Sequence, residues 1–318
     1  MIKDLIIIGA GPGGYELALA ASKKNIDTLL IEEAKVGGTC LHHGCIPTKT
    51  LYHSAKLLKE ANNFSSYGIE GKLSFDFLKA KARVDEVVNN LESGIRFRLS
   101  KSEVDVIYGK AKLLSNTEVL VNGDIHKANY IVIATGSTPL TLQGISGKDV
   151  VNSNDFLKLT SVPKNLVIIG AGVIGIEFAS IFKLFGSNVE VIEAQSDILP
   201  FLDKEISKRL LAYLKNLGIK FNLNAKVLGV DGNKVFFETK GEVKDLSFDK
   251  LLVAIGRKPN LEGLGLDEAG IKYTNKGIEV NKNFQTNIPN IYAIGDVTGK
   301  VMLAHNATYM GYKVLNHI

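Results

Sequence analysis

Cysteine is nearly missing from this sequence: 318 residues contain two, Cys40 and Cys45, with four residues between them. A secreted disulfide framework needs more, so that class is excluded, and a bridge between these two would serve chemistry in a reducing compartment. No second Cys/His cluster with ligand spacing follows. Four intervening residues are also long for a zinc knuckle, so no metal is expected. Long apolar runs are absent as well: nothing approaches a membrane span, and the chain enters its first apolar stretch at Leu5 without a basic leader. The expectation is therefore no membrane partner and a cytoplasmic protein. A basic stripe with interleaved aromatics is lacking too. The net charge of +5 is modest and spread along the chain, which suits phosphate-bearing cofactors and argues against nucleic acid. With 45% hydrophobic and 22% charged residues, the chain reads as globular and long enough for two domains.

What is present begins with Leu5-Ile6-Ile7-Ile8, a continuous apolar run of the kind found in parallel strands covered on both faces. It runs into Gly9-Ala10-Gly11-Pro12-Gly13-Gly14, then a helical pattern over Tyr15–Lys24, then a second strand, Thr28–Ile31, ending at Glu32. Strand, glycine turn, helix, strand and an acid 23 residues after Gly9 together form a dinucleotide-binding fingerprint. In it Gly9 makes the tight turn, Gly11 lets the backbone approach a pyrophosphate, Gly14 allows close helix packing, and Glu32 accepts from a ribose hydroxyl. The pattern recurs. Leu166–Ile169 leads into Gly170-Ala171-Gly172-Val173-Ile174-Gly175, a helix through Phe185 and a strand ending at Glu193, again 23 residues beyond the first glycine. Two copies of one unit imply two dinucleotides and an α/β fold of two Rossmann-like domains.

Between and after these units, helices are expected over 48–61, 76–100 and about 203–217. Short strands are expected from 104 to 132, with Asn122-Gly123 as a hairpin turn, and again from 219 to 249 as small antiparallel insertions. Ile131–Gly136, Leu251–Asn260 and Ile291–Asp296 read as further strands, the first stopped by Pro139, and Met302–His305 opens a terminal helix.

The two cysteines stand in Gly37-Gly38-Thr39-Cys40-Leu41-His42-His43-Gly44-Cys45-Ile46-Pro47-Thr48-Lys49. In an ideal helix, residues five apart are separated by about 7.5 Å of rise, beyond the roughly 4.4–6.8 Å Cα window of a disulfide. A bridge would require an irregular turn, which Gly44 permits. Pro47 suits the first turn of a helix and would place Cys45 near a helix N-terminus, where the dipole and open N–H groups stabilise a thiolate. On the residues alone, two inert thiols remain the competing reading.

The whole string resembles the redox-active disulfide motif of the flavin-dependent disulfide reductases, and Leu41 and Ile46 resemble the dihydrolipoamide dehydrogenase branch. The likeness extends over essentially the full chain through the two glycine turns, the cysteine string, and the Leu251–Asn260 and Ile291–Asp296 segments. It implies FAD on a first domain (1–147 plus 278–318) and NAD on a second (148–277), with Cys40 and Cys45 as a reversible disulfide. By that resemblance Glu32, Lys49, Ala111, Asp296 and Ala304 contact FAD, and Gly38, Thr39, Gly136 and His305 are further motif positions of the cofactor site. Glu193, Val227, Gly256 and Arg257 would line the pyridine-nucleotide site. Lys49 would sit by the flavin and pair with Glu177, because a cation there favours the reduced, anionic ring. The resemblance further implies that dihydrolipoamide attacks Cys40, that Cys45 passes electrons to the flavin and that NAD receives the hydride.

Members of that family continue into an interface domain that supplies dimer contacts and a histidine-glutamate base. None of the six histidines here stands in a His-Pro context with a following glutamate. The expectation is a chain lacking that domain, a monomer or weak dimer, passing electrons mainly between NADH and flavin. Its partners by resemblance would be a small or lipoyl-domain dithiol and a 2-oxo acid dehydrogenase or glycine cleavage complex. A glutathione or mercuric reductase type is the alternative, as is a non-catalytic flavoprotein.

Overall fold

A computed structural model describes residues 2–71 and 74–318, which cluster into two compact units. One comprises residues 1–45, 88–138 and 258–318, the other residues 46–87 and 139–257.

The first unit is built on β1 (Ile2–Ile8), whose apolar run from Leu5 to Ile8 is almost wholly shielded from solvent. Helix α1 (Pro12–Ser22) follows, then β2 (Thr28–Glu32), α2 (Gly38–His42) and the start of α3 (Cys45–Ala61). After α4 (Phe77–Ser100) come β3 (Val104–Tyr108), β4 (Ala111–Leu113), β5 (Glu118–Val121) and β6 (Asp124–Ile133). The sheet order is β3-β2-β1-β6-β5-β4. Its β3, β2, β1 and β6 run parallel, while β5 pairs antiparallel with β6 and β4 antiparallel with β5. Successive β1 side chains enter opposite cores, Ile6 and Ile8 on one face, Leu5 and Ile7 against α1 on the other. This two-residue alternation is why an unbroken apolar run is needed.

Asn122 and Gly123 both take positive φ, 52° and 92°, as the two-residue hairpin between β5 and β6 demands. The strand expected over Ile131–Gly136 is the second half of β6, which pairs first with β5 and then, from Lys127, with β1. It ends at Ile133, well before Pro139 in the short β7 (Ser137–Pro139), because Ala134 already closes against the glycine turn through its N–H to the Ile8 carbonyl, 2.8 Å.

The second unit holds β8 (Val150–Asn152), α5 (Ser153–Phe156), β9 (Asn165–Ile169), α6 (Val173–Leu184), β10 (Asn188–Ile192), α7 (Lys204–Asn216) and β11 (Lys220–Asn222). An antiparallel ribbon of β12 (Ala225–Asp231), β13 (Lys234–Thr239) and β14 (Glu242–Ser247) precedes β15 (Lys250–Val253). The sheet β11-β10-β9-β15-β8 is parallel throughout. Phe156, Phe178, Phe182 and Phe185 pack on one another beneath it, edge-on or tilted, with centroids 4.6–6.5 Å apart. Leu251–Asn260 is not one strand: β15 stops at Val253, the chain turns through Gly256 at φ 124°, and β16 (Arg257–Pro259) starts afresh.

The chain then forms a ribbon of β17 (Tyr273–Thr274) and β18 (Gly277–Ile278). In the first unit β19 (Ile291–Ala293) adds to β6, and α8 (Ala304–Leu315) packs on α1. The expected strand Ile291–Asp296 is shorter than its apolar pattern, since Gly295–Thr298 winds into a single 3-10 turn.

Candidate active site

The two glycine turns are the same structure built twice. Gly9 and Gly170 both have φ 104°, and each donates its N–H to the end of the next strand, Ile31 at 2.7 Å and Ile192 at 2.8 Å. A Cβ on either would strike the carbonyl group of Ala134 or Ala254, so these turns are closed to any side chain. Glu32 and Glu193 hold their turns in matching fashion. Glu32 accepts from the Ala10 N–H at 2.7 Å and the Ala34 N–H at 2.9 Å; Glu193 accepts from Ala171 at 2.6 Å and Gln195 at 2.8 Å. Each oxygen keeps a lone pair for a further donor. The main chain repeats too: Gly109 donates to the Glu32 carbonyl and Ala225 to that of Glu193, both at 2.9 Å, so Ala111 and Val227 stand two residues beyond equivalent points.

Helices α1 and α6 begin at Gly11 and Gly172 with no side-chain cap, whereas α7 is capped by Asp203, whose carboxylate accepts from Glu205 and Ile206 N–H groups. Uncapped first-turn N–H groups are a ready anion site. Among the described residues, chain neighbours aside, a Cβ on Gly172 would meet nothing within 4 Å, and one on Gly11 only the Gly38 Cα at 4.0 Å. This open space before a helix N-terminus fits a dinucleotide pyrophosphate in both units.

The cysteine string docks on the first turn backbone to backbone. Gly37 donates to the Ala10 carbonyl at 2.8 Å, and a Cβ on Gly38 would come within 2.7 Å of the Gly11 Cα. Thr39 and Cys40 lie in α2, which ends at His42; His43 leaves helical geometry (φ −137°, ψ 17°) and Cys45 opens α3. The break supplies the irregular turn that a Cys40–Cys45 bridge requires. Cys40 is half-buried and Cys45 exposed at the N-terminal end of a 17-residue helix, where the dipole favours a thiolate. One turn along α3, the Lys49 ammonium pairs with the Glu177 carboxylate of α6.

Elsewhere in the first unit, Asp296 lies in the turn after β19 and accepts from the Ser137 hydroxyl at 2.6 Å, one residue beyond Gly136. Ala304 and His305 open α8, which runs beside α1 because Gly13 meets Ala307 and the Thr308 hydroxyl reaches the Pro12 carbonyl at 3.3 Å. Gly256 and Arg257 stand past the end of β15, with the Gly256 carbonyl accepting from Leu140 at 3.0 Å. Sequence reasoning missed Tyr15. Burial first, then the neighbouring Glu16 carboxylate, push its phenol up to about 12, so it stays neutral. Its only sequence signal is its place directly after Gly14.

Among the described residues, no group of three or more His, Cys, Asp or Glu side chains could hold a metal ion, and no helix is long and apolar enough to cross a membrane.

The family described as pyridine nucleotide-disulphide oxidoreductase matches residues 3–311. The chain belongs to that family. It is 39% identical over 323 residues to a dihydrolipoyl dehydrogenase of Acholeplasma laidlawii, covering 99% of this chain and 96% of that one. Against a dihydrolipoyl dehydrogenase of Bacillus subtilis (strain 168) it is 38% identical, covering 98% of this chain and 71% of the relative. The solved HOCl-induced flavoprotein disulfide reductase RclA from Escherichia coli superposes with a TM-score of 0.88 at 33% identity, over 99% of this chain and 71% of that one. As a pyridine nucleotide-disulphide oxidoreductase, the chain is an FAD- and NAD-dependent enzyme of dithiol-disulfide exchange. Both glycine turns and the cysteine string fall inside the matched span.

Proposed function

We propose that this chain oxidises dihydrolipoamide, free or on a lipoyl domain, through a reversible Cys40–Cys45 disulfide, with NAD as the final acceptor. The observation that carries the reading is the α2–α3 break: Cys40 and Cys45 sit on either side of it, on a segment docked against the first nucleotide turn.

A substrate thiolate attacks Cys40 Sγ, the sulfur–sulfur bond breaks, and Cys45 leaves as a thiolate held by the N-terminus of α3. The second substrate sulfur then attacks the mixed disulfide and closes the lipoamide ring, and Cys40 leaves as a thiol on taking up one proton. Dithiol and disulfide have thereby exchanged. FAD, when bound, supplies the two-electron link between the dithiol and the nicotinamide. Gly11 and the α1 N-terminus would hold its pyrophosphate, with Glu32, Gly38, Thr39, Ala111, Gly136, Asp296, Ala304 and His305 around it. Gly172, Glu193, Val227, Gly256 and Arg257 would serve NAD. The Lys49–Glu177 pair keeps one fixed cation on α3, one turn from Cys45.

These assignments follow nucleotide lobes of 1–147 plus 278–318 and 148–277. A cytoplasmic setting and a 2-oxo acid dehydrogenase or glycine cleavage complex as partner belong to the same proposal. The test is anaerobic titration with NADH and with dihydrolipoamide, followed by visible spectroscopy. A thiolate-to-flavin charge-transfer band from both donors is expected. A band with NADH alone, together with turnover of glutathione disulfide, would move the reading to another flavin disulfide reductase. No band with either would refute it.

A further inference from the structure

Glu92, on α4, is 8% exposed, and a carboxylate so far from water needs partners. Arg96, one turn on, donates its Nε–H to Oε1 at 2.8 Å; Lys35 Nζ lies 3.8 Å and His42 Nε2 4.0 Å from Oε2. The His42 side chain is itself only 9% exposed, and its Nε2 lies 2.9 Å from the Val36 carbonyl oxygen. A carbonyl can only accept, so Nε2 carries the hydrogen, and that edge of the ring faces both acceptors.

His42 is the last residue of α2, which carries Cys40. Five residues of helix do not stand alone, so side-chain anchors fix how α2 is turned. Successive helical residues rotate by roughly 100°, which puts His42 nearly opposite Cys40. Drawing His42 inward, beside the buried Leu41, turns Cys40 outward to its half-buried position.

We infer that the contact of His42 with Val36 and Glu92 is a latch that fixes the rotation of α2, making His42 a positioning residue for closure of the Cys40–Cys45 disulfide. The inference rests on the proposed disulfide cycle. Closing the bond removes two electrons and two protons from the two thiols; in a glutathione buffer, glutathione disulfide takes them up and becomes two glutathione molecules. Holding one sulfur in register raises its effective concentration toward the other, so the latch favours the closed form.

The experiment equilibrates the FAD-loaded protein with graded glutathione buffers and counts free thiols. In His42→Phe, which keeps a ring but loses the donor, the closing constant should fall about tenfold, a shift of about 30 mV for two electrons. His42→Gln keeps an N–H donor and should stay within about twofold of the parent. Cys45 is carried by α3, so the NADH-induced charge-transfer band should keep its strength in His42→Phe, whereas a merely misfolded variant would lose both readouts. An unchanged closing constant in His42→Phe, or an equal fall in His42→Gln, overturns the latch. A parent protein with no disulfide to titrate defeats the disulfide cycle itself, and the latch falls with it.

Discussion

Alanine at Gly172 and alanine at Gly175 should have opposite consequences, though the two sites lie three residues apart in one motif. Gly172 has φ −74° and ψ −176°, extended backbone that any residue adopts, and a Cβ there meets nothing within 4 Å among the described residues other than its chain neighbours. Gly172→Ala should leave folding intact, because the gain of about 0.4–1 kcal/mol from restricting the unfolded chain is offset by alanine's poorer fit as the N-cap of α6, leaving stability within about 1 kcal/mol of the parent. The methyl group would occupy the space assigned to the pyrophosphate. Losing one charge-assisted hydrogen bond from the α6 N-terminus, about 1.5–3 kcal/mol, weakens NADH binding by roughly 10- to 150-fold. At Gly175 the added Cβ falls under 3.0 Å from the Gly170 carbonyl oxygen and 3.3 Å from Ile168 Cγ2. Because the obstacle is backbone, α6 must withdraw from the turn, at a cost of about 1–3 kcal/mol. Urea unfolding reports stability and anaerobic NADH titration reports affinity on the same preparations. Unaltered NADH affinity in Gly172→Ala would refute the placement of the pyrophosphate, and parental stability in Gly175→Ala would refute the close approach of helix and turn.

The other expected outcomes concern charge and sulfur. Glu193 should make NADH reduce the flavin at least about tenfold faster than NADPH, since a carboxylate accepts from a ribose hydroxyl and repels a 2′-phosphate; Glu193→Gln should narrow that ratio, and equal parental rates would sink the assignment. Cys45→Ser should abolish the charge-transfer band, whereas Cys40→Ser, with no disulfide to form, should show it before any reductant is added and lose it once NADH reduces the flavin; the reverse pattern would exchange the roles of the two sulfurs. Tyr15 ionises less readily folded (about 12) than at its ordinary 10.0, mainly through burial. Its stabilising contribution is therefore complete below about pH 10 and lost as pH rises through about 12, a loss that Tyr15→Phe should not share. Parallel alkaline melting curves for the two proteins would contradict this.

Much of the architecture was legible because it rests on local chemistry repeated at fixed spacing. Four-residue apolar runs marked the central strands of both sheets, and Gly9–Glu32 and Gly170–Glu193 marked both turns, since a positive φ and a close helix approach leave no choice but glycine. The break between Cys40 and Cys45 was readable from Gly44 and Pro47. Strand ends were not: β6, β15 and β19 all stop before their apolar patterns do, because hydrogen-bond partners, not hydrophobicity, end a strand.

What the sequence by itself determined, then, is two nucleotide turns and a dithiol string, each dictated by backbone sterics within a few residues. Only the tertiary structure decided which distant groups meet: Glu92 of α4 near His42, Glu177 of α6 at Lys49, and Ser137 at Asp296. Those pairs join separate elements, and no periodicity within either partner encodes the other's position.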